Sequence, residues 1–346
     1  MKHINWKTVF TKAWPHALAI AIMYVVTIMF FAPIVLDGKE LVQSDDVSAI
    51  GMSKDAEELR AKDGIGSEWT NGMFSGMPTT TVSAQGSSVN FYDKLVSVLR
   101  LGLPYKTVAL LFSYLLMFYI FVVCLGASPW LALVGAIAYG FASYNIIIID
   151  VGHVTKAAAM AFVAPMLMGV ILTFRKKYIA GAVITMLSLG ALISRSHIQI
   201  DYYSAIMVIC IGMSFLVYYI IGAVKKSEQF SSFLKACGIL IVAAMLAILP
   251  SANNLLPTYE YGKDTMRGGR QLKQNENAQK TPTGLDIDYA YAWSEGRMET
   301  FTHLVPNLYG GGHTVLEKDD PALKELRQTG YGSTYLPTYW GDQPFT

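Results

Sequence analysis

The chain is poor in charge. Asp, Glu, Lys and Arg make up 15% of its 346 residues and hydrophobic residues 53%, whereas soluble domains are about 25% charged. A deficit of that size removes most of the groups that keep a large surface wet, and the mean hydropathy of +0.38 agrees. Composition therefore points to a membrane protein. Cysteine is scarcer still. Cys124, Cys210 and Cys237 each lie inside an apolar run, and no C-x-x-C spacing occurs. That argues against a disulfide framework or a cysteine metal site and leaves three small packing residues. A phosphate-cradling P-loop, a zinc signature and a Ser-His-Asp set are also missing. The net charge is only +2, so no basic excess marks a nucleic-acid surface, and no nucleic-acid partner is expected. The first apolar run is too long for a cleavable leader, and no small-residue cleavage site closes it.

What the chain does have is long apolar runs. A bilayer core of about 30 Å needs roughly 20 apolar helical residues. Seven stretches qualify: 15–36, 107–125, 129–149, 157–174, 178–194, 202–224 and 233–252. The predicted fold is an all-α polytopic membrane protein of about seven transmembrane helices. Basic residues in the connections set its orientation. One side holds Lys2, Lys7 and Lys12, then Arg175, Lys176 and Lys177, then Lys225, Lys226 and Lys235. The short links on the other side carry only Lys156 and Arg195. The N-terminal segment 1–14 is thus expected in the cytoplasm. The seven-span module covers 15–252, and the long first loop 37–106 and the segment 253–346 lie outside. The residues from Tyr339 to Thr346 have no terminal character, and the chain is expected to continue beyond them.

The first outer loop is long for a helix connection, which is a mark of functional loops. Ser53 to Lys62 reads as a short helix with a Ser cap and acids in its first turn. Phe91, Leu95, Val98 and Leu99 recur at helical spacing, with Asp93, Lys94 and Arg100 between them. That pattern suits an amphipathic helix on the outer membrane surface or, alternatively, a surface helix of a small outer domain. Gly72, Gly76 and Pro78 mark turns between the two. Gly135 and Gly140 in the third run imply close helix packing. The tail from Asn253 is polar, rich in Gly, Tyr and Pro, and reads as an irregular outer segment packed on this loop.

Ionisable groups at a membrane carry a functional expectation, and here they gather on the outer side. Asp45 and Asp46 follow the first run. Asp150, His153 and Lys156 flank the third link, and Arg195, His197, Gln199, Tyr202 and Tyr203 the fifth. Each has a plainer explanation: solvated loop acids, lysine or arginine reaching lipid phosphates, a histidine capping a helix, tyrosines in an aromatic belt. Their co-location is what argues for a shared cleft. One carboxylate of Asp45 and Asp46 would take a proton from an acceptor hydroxyl as general base. Fixed cations would stabilise charge developing on a phosphate leaving group. The other carboxylate leaves a divalent cation possible. No nucleotide sugar is available outside the cytoplasm, so an activated donor there would be lipid-linked.

In these residues the chain resembles the N-terminal part of bacterial YfhO-like membrane proteins, which are similar to the GT-C class of lipid-dependent glycosyltransferases. The resemblance rests on the Asp45-Asp46 loop, on Gly152 to Lys156, on Ser196 to Gln199 with the following Tyr pair, and on tail segments at Trp293-Ser294, Pro306 to Gly311 and Tyr339 to Phe345. It implies a seven-span GT-C-like module in the bacterial inner membrane, a first outer loop with juxtamembrane helices and a catalytic Asp, a polyprenyl-phosphate sugar donor and a cell-envelope acceptor. By residue, Asp45 or Asp46 would be the base, with Asp46 slightly favoured. His153, Lys156 and Arg195 would hold the donor phosphate. His197 and Gln199 would orient sugar or acceptor, and Tyr202 would border the substrate. Two other readings compete: a lipid or glycolipid transporter, for which mid-span charge and inverted repeats are the missing signs, and a non-catalytic envelope scaffold that uses the tail.

Overall fold

The computed structural model describes residues 6–64, 67, 69–79, 91–104, 106–226, 228–263, 265, 291, 294–306, 308–311, 319 and 321–328. Helix dominates. The elements are α1 (Trp6–Phe30), α2 (Ala32–Val35), α3 (Ser44–Asp63), α4 (Phe91–Leu99), α5 (Val108–Cys124), α6 (Pro129–Gly140), α7 (Ser143–Val151), α8 (Val154–Ala161), α9 (Val163–Phe174), α10 (Tyr178–Ile193), α11 (Ile198–Val224), α12 (Phe230–Ile248), α13 (Ala252–Gly262) and α14 (Pro321–Gln328). A two-residue antiparallel hairpin, β1 (Trp69–Thr70) with β2 (Met77–Pro78), interrupts the first loop. Its turn depends on Gly76 at φ +127, where an added Cβ would fall 2.7 Å from the Trp69 ring.

Helix α5 is the hub. Of its 17 residues 11 are buried, among them Phe112, Tyr114 and Leu115 at 0% exposure. A helix apolar on every side belongs inside other helices, and α1, α6, α7, α8 and α9 all pack on it. Small residues set the closest approaches. A Cβ on Gly140 would meet Leu115 at 2.5 Å, and one on Gly169 would meet the Thr185 backbone nitrogen at 2.5 Å. One on Gly181 would meet the Thr173 nitrogen at 2.6 Å, so the α9 and α10 backbones touch across Gly169 and Gly181. Helix α11, by contrast, leaves Ile209, Met213, Val217, Ile220 and Val224 exposed. A patch of that extent on a water-soluble monomer would be an aggregation hazard. In lipid it is ordinary.

Among the described residues four helical stretches are long and apolar enough to cross a membrane: Phe10–Phe30, Val154–Phe174, Ile198–Val224 and Phe230–Gly262. A fifth is reached if α6 and α7, bent by 49° at their junction, count as one. Helices α5 and α10 are apolar but shorter, at 17 and 16 residues. Every one of the seven apolar runs is helical, and length and composition alone support four spans, or five with the bent pair, among the described residues. The bend in the third run follows from its own residues. The chain turns at Phe141 and Ala142, where the Tyr139 carbonyl accepts both the Ala142 backbone N–H at 3.2 Å and the Asn145 side chain at 2.7 Å. The last run extends past its expected end through a short 3-10 turn into α13, so helix continues to Gly262.

Two corrections concern the first loop. The helix expected over 53–62 begins at Ser44, so Asp45 and Asp46 are its first-turn acids and not loop residues. Acids at that end and Arg60 and Lys62 in the last turn complement the helix dipole, and Gly64 at φ 71 closes the helix. Helix α4 forms where expected, but with a rotated face. Tyr92 is buried against α10 and Val96 is buried near α5 and α8, while Phe91 and Val98 are exposed at 59% and 70%.

Candidate functional site

The site is built from helix ends. Helix α7 stops at Val151 and α8 starts at Val154, so the link between them is only Gly152 and His153. Gly152 is left-handed, at φ +91. Only glycine takes that conformation routinely. A Cβ there would also collide with Gln43 Cβ at 2.7 Å and approach the Asp46 nitrogen at 3.2 Å. The start of α3 therefore lies directly on this turn. Gln43, 3% exposed, fastens it by donating from Nε2 to the Ile149 carbonyl.

That contact brings the acidic pair into position. Asp45 Oδ2 lies 2.5 Å from His153 Nε2. Asp46 turns the other way and takes the Lys106 ammonium at 2.5 and 2.8 Å. The two carboxylates thus have different partners: one an imidazole, the other a lysine ammonium. Among the described residues no three His, Cys, Asp or Glu side chains converge to hold a metal ion.

The next group lies on α7, α8 and the start of α11. Lys156 Nζ sits over the Tyr144 ring, 5.1 Å from its centroid, a cation–π contact. His197 is electrostatically coupled to both Lys156 and His153. Burial lowers its affinity for a proton, and the Lys156 charge lowers it further. Its Nδ1 is a buried atom with no hydrogen-bond partner, as is Asp201 Oδ1 one turn on. Gln199 donates to the Tyr203 hydroxyl at 2.9 Å, and Tyr202 is 63% exposed beside it.

Arg195 is placed differently from Lys156. Its side chain is 9% exposed and its guanidinium pairs with Asp93 of α4, with the Ser194 hydroxyl at 3.0 Å. Tyr92, one residue earlier, lies against Gly190 of α10, where an added Cβ would fall 2.0 Å from its hydroxyl. Arg195 and Tyr92 therefore anchor the amphipathic helix to α10. The structure pairs Asp45 with His153, makes His153 and Lys156 electrostatic neighbours of His197, places Asp46 next to Asp45 on α3, and gives Arg195 an anchoring pair with Asp93.

Three residues of this neighbourhood were not singled out in the sequence. Tyr144 on α7 carries Lys156 on its ring. His303, from a short 3-10 turn at Glu299–His303, stacks obliquely on the same ring at 5.5 Å. Glu295 pairs with His303 at 3.1 Å and is an electrostatic neighbour of Lys156. Thr302 in this turn is fully buried and accepts a bond from the Tyr309 backbone nitrogen. The tail turn at Glu299–His303 therefore packs on α7 at the site. Of the tail motifs, Trp293, Asn307 and 339–345 fall outside the described residues.

The opposite end of the bundle has a different character. Helix α10 runs unbroken from Tyr178 to Ile193, so Lys177 and Ser194 lie at its two ends, about 24 Å apart. At the Lys177 end Lys176 pairs with Glu228 at 2.5 Å, and their mutual hydrogen bond raises the lysine's proton affinity and lowers the glutamate's. The acid–imidazole cluster and the basic links thus occupy separate ends. Comparison with family models, with curated proteins and with solved structures finds no match for this chain.

Proposed function

We propose that the chain is a glycosyltransferase of the YfhO-like, GT-C type, with seven spans and its acid–imidazole end on the outer face of a bacterial cytoplasmic membrane. It would move a sugar from a polyprenyl-phosphate donor to a hydroxyl of an envelope acceptor. The observation that carries the reading is the 2.5 Å contact between Asp45 and His153 at a helix-end turn, with His197 an electrostatic neighbour of His153 and Lys156. In the reaction the acceptor oxygen bonds to the anomeric carbon, and the bond from that carbon to the phosphate oxygen breaks. The electron pair leaves with the polyprenyl phosphate, where Lys156 stabilises the charge. The hydroxyl proton passes to the Asp45–His153 pair, the carboxylate orienting the imidazole and balancing its charge. Asp46, already neutralised by Lys106, is the weaker choice of base.

The test is transfer by purified protein in vesicles supplied with polyprenyl-phosphate-linked radiolabelled hexoses and an envelope acceptor fraction. Asp45→Asn and His153→Gln are expected to lower the rate at least about 100-fold, in line with the loss of a general base, while leaving insertion intact. Normal transfer by both variants would end the proposal. A transporter remains the second reading, because the bend between α6 and α7 resembles the interrupted helices that line transport pathways. Lipid movement across vesicles without sugar transfer would favour it.

A further inference from the structure

Residues of α10 and α12 line a groove of about 470 Å³ that starts at the end of the bundle far from the cluster. Its walls are apolar: Ala182 and Met186 on one side, Gly238, Val242 and Leu246 on the other. Gly238 forms open floor, since an added Cβ there would meet nothing within 4 Å. Lys235 closes one end of the groove, with Nζ 4.6 Å from the centroid of the Tyr178 ring. From Lys235 to Leu246 the apolar track runs about 16 Å along α12.

The charge at that end is predominantly positive. The links 175–177 and 225–229 hold Arg175, Lys176, Lys177, Lys225 and Lys226 against a single acid, Glu228. Lys176 already takes that acid at 2.5 Å. Arg175, Lys177, Lys225 and Lys226 are exposed. A lysine reaching out of the bilayer would explain Lys235 alone. It does not explain an apolar groove that ends at the lysine on an end of the bundle whose links carry four more exposed cations.

We infer that the α10–α12 groove with Lys235 at its mouth is a binding site for one anionic phospholipid, its acyl chain along Gly238, Val242 and Leu246 and its phosphate at Lys235. The charge complementarity selects an acidic headgroup, and the apolar lining selects an acyl chain. The inference does not depend on sugar transfer.

The experiment is native mass spectrometry of the full chain in mild detergent, titrated with phosphatidylglycerol or with phosphatidylcholine of the same acyl chains. Wild type is expected to retain one phosphatidylglycerol at about fivefold lower lipid concentration than phosphatidylcholine, the preference that one juxtamembrane lysine supplies. Lys235→Ala should remove the preference, and Lys235→Arg should keep it. Gly238→Leu should fill the groove and reduce retention of both lipids; thermal unfolding of each variant confirms that it is folded. Equal retention of the two lipids by wild type would overturn the site. So would a preference that survives both Lys235→Ala and Gly238→Leu, or a dimer that Gly238→Leu dissolves, which would make the occupant a second copy of the chain.

Discussion

Single residues decide the geometry of the cluster. Gly152 is the clearest case, because its left-handed backbone and its contact with Gln43 both exclude a side chain. Gly152→Ala should cost about 1–2 kcal/mol from backbone conformation alone, with a further loss as α3 is pushed off the turn. Thermal unfolding in detergent measures the first effect. The second should appear as lost sugar transfer even in the folded fraction. His197 gives a dependence on pH. Burial and the Lys156 charge hold its folded-state proton affinity below that of a free imidazole. As pH falls below about 6.5 the unfolded chain takes up the proton first, so stability contributed by neutral His197 is present above that pH and is lost on acidification. Melting temperatures between pH 8 and pH 5 should therefore fall more steeply for wild type than for His197→Gln. If the two curves are parallel, the histidine is not held neutral.

The helices show what could be read from the sequence and what could not. All seven apolar runs are helical because apolar composition over some 20 residues leaves a chain in lipid little alternative. The break between α6 and α7 could not be read, since 129–149 is apolar on both sides of it. The bend depends on Gly140 meeting Leu115 and on Asn145 bonding Tyr139, which are tertiary and local polar facts. The grouping of Asp45 with His153 came from topology, two helix links on one side. The separate pairing of Arg195 with Asp93 did not, because periodicity places Asp93 on α4 without saying which helix α4 meets. Tyr144, Glu295 and His303 had no signal in pattern or spacing; only the folded tail joins them. At this scale the attachment of α4 to α10 can be tested directly. Gly190→Leu would drive Tyr92 out of its place and should destabilise the protein by about 1–3 kcal/mol, as overpacking does. Limited proteolysis within 91–100 should then become faster. Unchanged cleavage would mean that α4 is held by other contacts.

For the whole molecule, the separation of a cluster of acids and imidazoles from a set of basic links makes orientation a measurable property. In a background with the three native cysteines replaced, a cysteine at Lys62 should react with an impermeant maleimide on intact cells. One at Lys226 should react only after permeabilisation. The reverse pattern would invert the protein and move the proposed reaction to the nucleotide-sugar side. The brevity of α5 and α10 has another consequence. At 17 and 16 residues they span about 26 and 24 Å, several ångströms short of an average hydrocarbon slab. If both are spans, as proposed, the bilayer beside the bundle must thin or these helices must sit off centre within it. Because the cluster hangs from helix ends, a thicker bilayer would draw those ends apart. Turnover in vesicles of graded acyl length should accordingly peak with short chains and decline as the tails lengthen, making membrane thickness a control on the protein's working geometry.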